Sequence, residues 1–376
     1  MNNIINFDNA ATSYPKPANV TRSVLRTINE LGGSAGRGGH ILSMRTSEAV
    51  FKCRRKIADF FDANVENIVF CSNCTHALNI AINSIAKDNA HIIISSIEHN
   101  SVVRPLVRIA NEKKISLSIA QVYEDEDDTV SSFVREINYK TKAIICTAAG
   151  NVTGQRLPIK KLAEICKRNN ICFIVDGAQA CGKIPISLND GINIICTSGH
   201  KGLFGISGTG LLISDGNYKL EPLILGGTGS SSMELTQPDY MPDSLESGTL
   251  NTPGVISVGA GIDFIQSLTM EKIFRHEEVL TEQFISMISS LKRIQIFRSE
   301  KAEYVPIVSF NVRDIKSEEF ASFLSEKGFC LRAGFHCSAL AHKSLNTENG
   351  TIRFAPSIFN CENDVKKLCN IIKNAL

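Results

Sequence analysis

The stretch TSGHKGLFG, Thr197 to Gly205, sets a lysine between a histidine and a glycine directly after the apolar run Ile192–Ile195. Lys201 there reads either as part of a solvated basic turn or as an amine held to condense with a carbonyl, as in a Schiff base with a cofactor aldehyde. Other residue types that could share such a site follow other apolar runs. Asp176 in FIVDGAQA could keep a pyridine nitrogen protonated and make the ring an electron sink, or simply cap the next turn. His99 in SSIEHNSVV could stack on a flat ring. Thr75 opens a helical pattern running to Ala86, where free N–H groups and a hydroxyl suit a phosphate, and Ser198 and His200 add donors beside the lysine. Asn151, Gln179, Arg332 and Arg353 complete a polar set on separate segments. Cys337, in the polar, glycine-containing LRAGFHCSALAH, is a candidate nucleophile, and neighbouring Arg332 and His336 would favour its thiolate if they point inward.

The elements that must position these residues follow from the hydrophobic pattern. Apolar runs at Ile68–Phe70, Ile92–Ile94, Ala143–Cys146, Cys172–Val175, Ile192–Cys196 and Leu211–Ile213 read as buried strands, separated by helical periodicity such as Pro158 to Asn169. Strand–helix alternation predicts an α/β fold with a mostly parallel sheet covered on both faces, and places ligands beyond the carboxyl ends of its strands. The polar segments at those ends are Cys71–Thr75, Ser95–Asn100, Thr147–Thr153, Asp176–Ala180 and Thr197–Lys201. After about Pro253 the texture changes: helical patterns at Gly254–Leu268 and Glu271–Leu291, strand-like runs at Ile294–Phe297 and Ile307–Asn311, then helices near Ser317–Lys327 and Glu362–Ala375. This predicts a large domain over residues 15–255 and a smaller α+β domain from 1–14 and 256–376. The acidic run Glu124–Asp128 reads as a solvated turn.

Composition narrows the function. With 40 basic and 38 acidic residues in 376, the net charge of +2 gives no global field for nucleic acid or anionic membrane. No apolar run approaches a membrane span and the N-terminus lacks a signal-peptide pattern, so a cytoplasmic protein is expected. Twelve cysteines in a chain of this size are expected to be reduced and mostly buried. The C-x-x-C pair Cys71–Cys74 could serve redox chemistry or half a zinc site, but no second pair follows at zinc-ribbon spacing, and no metal is predicted.

Eight segments in order, NFDNAAT, GRGGHILS, EHNSV, GNVTG, VDGAQA, SGHKG, ESGTLNTPG and RAGFHCSAL, resemble the successive motifs of the class V, fold-type I pyridoxal-phosphate enzymes. The chain is most similar to their cysteine desulfurase and selenocysteine lyase group, nearly end to end. The resemblance implies a fold-type I transferase with pyridoxal 5'-phosphate bound to Lys201. His99 would stack on its ring, Asp176 pair with its nitrogen and Gln179 reach its phenolic oxygen, while Thr75, Ser198 and His200 hold the phosphate. Thr249 would reach the phosphate of a partner subunit in a homodimer. Asn151 and Arg353 would bind the substrate carboxylate, with His40 and Arg332 lining the same site. Cys337 would take sulfur from L-cysteine as a persulfide, leaving L-alanine, and pass it to a sulfur-acceptor protein for iron–sulfur cluster or thio-cofactor assembly.

Selenocysteine lyase, or another class V aminotransferase or lyase activity, is the alternative. The short connection from Cys337 to Arg353 resembles the group whose cysteine loop is rigid. Three positions depart from the family's pattern: Cys74 stands beside Thr75 where a hydroxyl or small residue is common, His76 where an acidic residue is frequent, and SALAH follows Cys337.

Overall fold

The computed structural model describes residues 4–36, 38–112 and 114–376, so Arg37 of the GRGGHILS motif and residues 1–3 lie outside the described residues. The chain begins with β1 (Ile5–Asn6), α1 (Ala18–Glu30) and α2 (Ile41–Phe61). Strand and helix then alternate through β2 (Ile68–Cys71), α3 (Cys74–Ile85), β3 (His91–Ser95), α4 (Asn100–Glu112), β4 (Ser116–Ala120) and α5 (Glu126–Glu136). The alternation continues through β5 (Thr141–Thr147), α6 (Ile159–Arg168), β6 (Cys172–Asp176), β7 (Ile194–Ser198) and β8 (Gly210–Ser214).

Strands β2 to β8 form one sheet in the order β2-β8-β7-β6-β5-β3-β4. The pairs from β7 through β4 are parallel, and β8 is antiparallel to both β7 and β2. Hence β8 alone runs against the others, and the carboxyl ends of β2, β3, β5, β6 and β7 share one edge. Side-chain alternation shows why the strands are apolar throughout. Ile93, Ile144, Phe173, Val175 and Ile195 enter one buried layer, while Ile92, Ile145, Ile174 and Ile194 enter the layer on the opposite face. A sheet covered on both sides needs apolar residues at every position rather than every second one.

Beyond a mostly irregular stretch come α7 (Thr252–Leu268), α8 (Met270–Ile288), β9 (Ile294–Ile296), β10 (Val308–Val312), α9 (Ser317–Glu326), β11 (Phe329–Cys330), β12 (Arg332–Gly334), α10 (Ala339–Ser344), β13 (Thr351–Phe354) and α11 (Glu362–Ala375). Helix α7 packs on α1 and α2. A second sheet of order β12-β13-β10-β9 carries its own core, in which Phe284 stacks on Phe354 at 4.0 Å between ring centres. The N-terminal β1 pairs in parallel with β11, and Phe7 joins this second core.

Two local expectations change. Glu124–Asp128 is solvated, but it is a helix start and not merely a turn. Asp125 caps α5 by accepting from the N–H groups of Asp127 and Asp128 at 2.8 and 3.1 Å, and Glu126, Asp127 and Asp128 place negative charge at the positive end of the helix. Strand β4 has no counterpart among the apolar runs: at the sheet edge, Ser116 and Ile119 are exposed, and only Ala120 is fully buried.

Candidate active site

Most of the sequence-selected residues meet at the carboxyl edge of the large sheet, around one cavity. After β2, Asn73 caps α3 by accepting from His76 N–H at 2.9 Å, which sets Cys74 and Thr75 in the first turn. After β3 comes His99; after β5, Thr147 and Asn151; after β6, Asp176 and Gln179; after β7, Ser198, His200 and Lys201. A doubly wound sheet brings such loops together because every parallel strand delivers its following loop to the same side.

Lys201 is the cation of the group. Burial pulls its amine below the usual lysine range, with Asp176 opposing the shift. Its Nζ makes no hydrogen bond or ion pair among the described residues. An unengaged amine that gives up its proton more readily than usual suits a nucleophile and a base. Asp176 Oδ1 accepts from Ala178 N–H at 2.9 Å and faces Cys74 Sγ at 3.5 Å. The N–H of Ser101 donates to His99 Nδ1 at 3.0 Å, so that nitrogen carries the lone pair and the neutral ring's proton sits on Nε2. Burial lowers the imidazole's proton affinity despite Asp176, which keeps the ring neutral and able to lie against an aromatic face. Ser101 also bonds Thr75 Oγ1 at 3.0 Å, joining three pocket residues in one chain.

The peptide before Lys201 is held by the N-terminal segment. The carbonyl of His200 accepts from Ser13 N–H at 3.1 Å, from Lys16 Nζ at 2.8 Å and from Thr12 Oγ1 at 3.2 Å. Burial, followed by the charges of Lys201 and Lys16, drives His200 down to about 4, so it presents a neutral ring.

Polar atoms left without partners indicate what the cavity is built to hold. Among the described residues Gln179 Oε1, Ser198 Oγ and His200 Nδ1 are buried and find no hydrogen-bond partner, although Gln179 Nε2 donates to Ala10 O at 3.0 Å. Stranded polar atoms cost about 1–3 kcal/mol each when nothing pairs with them, so a polar ligand is expected there. The first turn of α3 and the Thr75 and Ser198 hydroxyls suit a phosphate, the carboxylate of Asp176 suits a protonated ring nitrogen, and Lys201 suits an aldehyde. The donor set fits pyridoxal phosphate.

Cys337 is exposed and lies in a tight turn after β12. His336 and Cys337 both adopt left-handed backbone angles, φ 48° and 58°. Such conformations cost about 1–3 kcal/mol each for residues other than glycine, so surrounding bonds must impose them. Those bonds are present. Asn151 Nδ2 donates to His336 O at 2.7 Å, Asn151 Oδ1 accepts from Ser338 Oγ at 2.5 Å, and Asn100 N–H donates to Cys337 O at 2.8 Å. Asn151 therefore lines the cavity and clamps the cysteine turn at once.

Arg332 points a guanidinium nitrogen at the thiol, with Nη2 to Sγ 3.9 Å. His336 does not join it: the expectation that it would assist the thiolate is corrected by its position. Its Nε2 donates to Thr351 O at 3.0 Å, and burial together with Arg353 and His342 pushes the ring down to about 2, so it carries no charge. Arg353 is 1% exposed; Nη1 donates to Asn151 O at 2.9 Å, Nη2 pairs with Asp8 at 2.8 Å, and Nε has no partner among the described residues. Cys337, Arg332 and Arg353 do not themselves line the cavity, and His40 and Thr249 are not among its lining residues either. His40 is exposed and caps α2, and Thr249 is exposed in the irregular stretch before α7. Sequence reasoning missed Ser101, Thr147 and the Asp8 partner of Arg353; the hydroxyls resemble ordinary helix and strand residues until the chain is folded.

The buried His336 predicts a pH dependence. An ordinary histidine takes up its proton near pH 6.5, whereas this one stays neutral in the folded chain. As pH falls below about 6.5, the unfolded chain gains a proton that the folded chain refuses, so stability is lost toward acid. His336→Gln keeps a donor toward Thr351 without that titration. Denaturant titrations between about pH 5 and 7 should show the variant losing less stability on acidification than wild type; parallel curves would contradict the assignment.

Comparison with known proteins gives the same frame. The family model described as "Aminotransferase class-V" matches residues 5–368. A "Probable cysteine desulfurase" of Methanothermobacter thermautotrophicus is 28% identical over 370 residues, covering 96% of this chain and 92% of its own. A "Probable cysteine desulfurase" of Borreliella burgdorferi is 29% identical over 379 residues, covering 96% and 89%. The apo structure of a cysteine desulfurase from Thermococcus onnurineus NA1 superposes with a TM-score of 0.92 at 26% identity, covering 99% of this chain and 94% of that one.

Proposed function

The chain belongs to the class V aminotransferase family, and we propose that within it the protein is a cysteine desulfurase, holding pyridoxal 5'-phosphate at Lys201 and collecting sulfur on Cys337. The observation that carries this reading is the double engagement of Asn151. One residue lines the cavity with Lys201 and Asp176 and fixes the turn that presents an exposed, arginine-flanked thiol. An aminotransferase needs the lysine; only sulfur transfer needs the thiol. The relatives named above as cysteine desulfurases agree with it.

When bound, pyridoxal phosphate supplies an electron sink that labilises the bonds at the α-carbon of an amino acid. Asp176 would keep the ring nitrogen protonated, His99 would cover the ring face, and Gln179 would face the phenolic oxygen. Thr75, Ser198, His200 and the α3 N-terminus would hold the phosphate. Lys201, free of other partners, would take the α-proton of the substrate and return it. Arg353, with Asn151 beside it, would meet the substrate carboxylate, the negative group that a buried guanidinium recognises best.

Cys337 Sγ would then attack the sulfur of L-cysteine. The new S–S bond makes a persulfide, the C–S bond breaks, and the carbon skeleton leaves as L-alanine, so atoms balance without an external oxidant. Arg332 would stabilise the attacking sulfur. The bonds that pin the turn would keep Cys337 close to its donor, leaving delivery to a docked sulfur-acceptor protein. Thr249, exposed here, would complete the phosphate site of a second copy in a homodimer. No helix among the described residues is long and apolar enough to cross a membrane.

The test is alanine formation by the cofactor-loaded protein from L-cysteine with a thiol reductant, in parallel with L-selenocysteine. Alanine from L-cysteine supports the proposal. Alanine from L-selenocysteine alone moves the protein to selenocysteine lyase, and none from either rejects both.

A further inference from the structure

Cys74 has no part in the chemistry above, yet its thiol faces the carboxylate on which that chemistry depends. It opens α3, is 8% exposed, and its Sγ lies 3.5 Å from Asp176 Oδ1. Burial and the Asp176 charge push the thiol well above its usual range, so sulfur keeps its hydrogen and donates. The C-x-x-C partner is no competitor: burial holds Cys71 as a thiol too. Asp176 Oδ1 thus receives two donors, Cys74 S–H and Ala178 N–H, while Oδ2 makes no hydrogen bond among the described residues.

From this geometry we infer that Cys74 is a positioning residue for Asp176. Its S–H fixes the Oδ1 side of the carboxylate, leaving Oδ2 to face the ring nitrogen of the cofactor. The inference rests on the cofactor reading proposed above. A carboxylate held from one side loses less freedom when it engages a ligand on the other. Alanine at this position removes the donor; serine restores one of similar size.

The experiment loads wild type, Cys74→Ala and Cys74→Ser with pyridoxal phosphate, removes the excess, and follows retained cofactor by visible absorbance as pH is lowered. The melting temperature of each cofactor-free protein reports any packing void separately. Cys74→Ala is expected to release cofactor at a pH about half a unit higher than wild type, the size fitting a weak donor, with Cys74→Ser returning toward wild type. Coincident curves for wild type and Cys74→Ala overturn the inference. So does a Cys74→Ser curve displaced as far as that of alanine, since volume would then matter and the donor would not. A wild type that takes up no cofactor rejects the function proposed above and this inference with it, a result distinct from coincident curves on loaded protein.

Discussion

Lys201→Ala should reduce alanine formation from L-cysteine by about a thousandfold or more. Removing a group that transfers a proton in the reaction costs on the order of 10²–10⁴, and in the proposed function this residue also anchors the cofactor. The geometry leaves no understudy. Lys16, the other lysine near the site, spends its Nζ on His200 O and Ser13 Oγ, both at 2.8 Å. Burial brings Lys16 down to about 8, yet its amine is engaged by those two partners and it does not line the cavity. The variant should still fold, because Lys201 closes no ion pair among the described residues, and it should lose cofactor during gel filtration. Alanine production within tenfold of wild type would mean that the pocket chemistry does not run through this lysine.

Cys337→Ala should remove sulfur transfer to a comparable extent while leaving cofactor uptake intact. The side chain is exposed and fills no core, and alanine retains the Cβ, so the left-handed backbone of the turn is no more strained than before. The anchors of the turn, Asn151, Asn100 and Thr351, do not involve the sulfur. The loss would therefore be chemical. Visible absorbance of the loaded variant should match wild type while alanine and sulfide fall about a thousandfold, in the range seen when a covalent nucleophile is deleted. Full turnover in the variant would favour a transaminase or another β-elimination, in which the thiol has no part.

The legibility of this fold depends on burial. Strands such as Cys172–Asp176 are apolar at each position before the terminal aspartate because both faces are covered, which makes them visible as runs. Strand β4 lies at the edge with serines at two of its five positions, and its pairing with β3 supplies what its composition does not. The acidic start of α5 resembles a loop because negative charge at a helix N-terminus is satisfied by backbone N–H groups that a sequence does not display.

The site was readable for a different reason. In an alternating α/β sheet, residues at strand ends converge regardless of their separation in sequence, so Thr75, His99, Asn151, Asp176, Gln179, Ser198, His200 and Lys201 could be placed together from position alone. What could not be read is the wiring between them. Ser101 bridging His99 and Thr75, Asn151 clamping the cysteine turn, and a histidine turned away from the thiol it neighbours are tertiary facts. His40, the exposed cap of α2, and Thr249, exposed before α7, do not line the cavity.

Sulfur collection on Cys337 is tested by the intact mass of cofactor-loaded protein after one equivalent of L-cysteine, without reductant, followed by peptide mapping. The expected result is a gain of one sulfur atom, located on Cys337 and removed by dithiothreitol, with none on Cys361, the other exposed cysteine. No gain, or the same gain in Cys337→Ala, would contradict it.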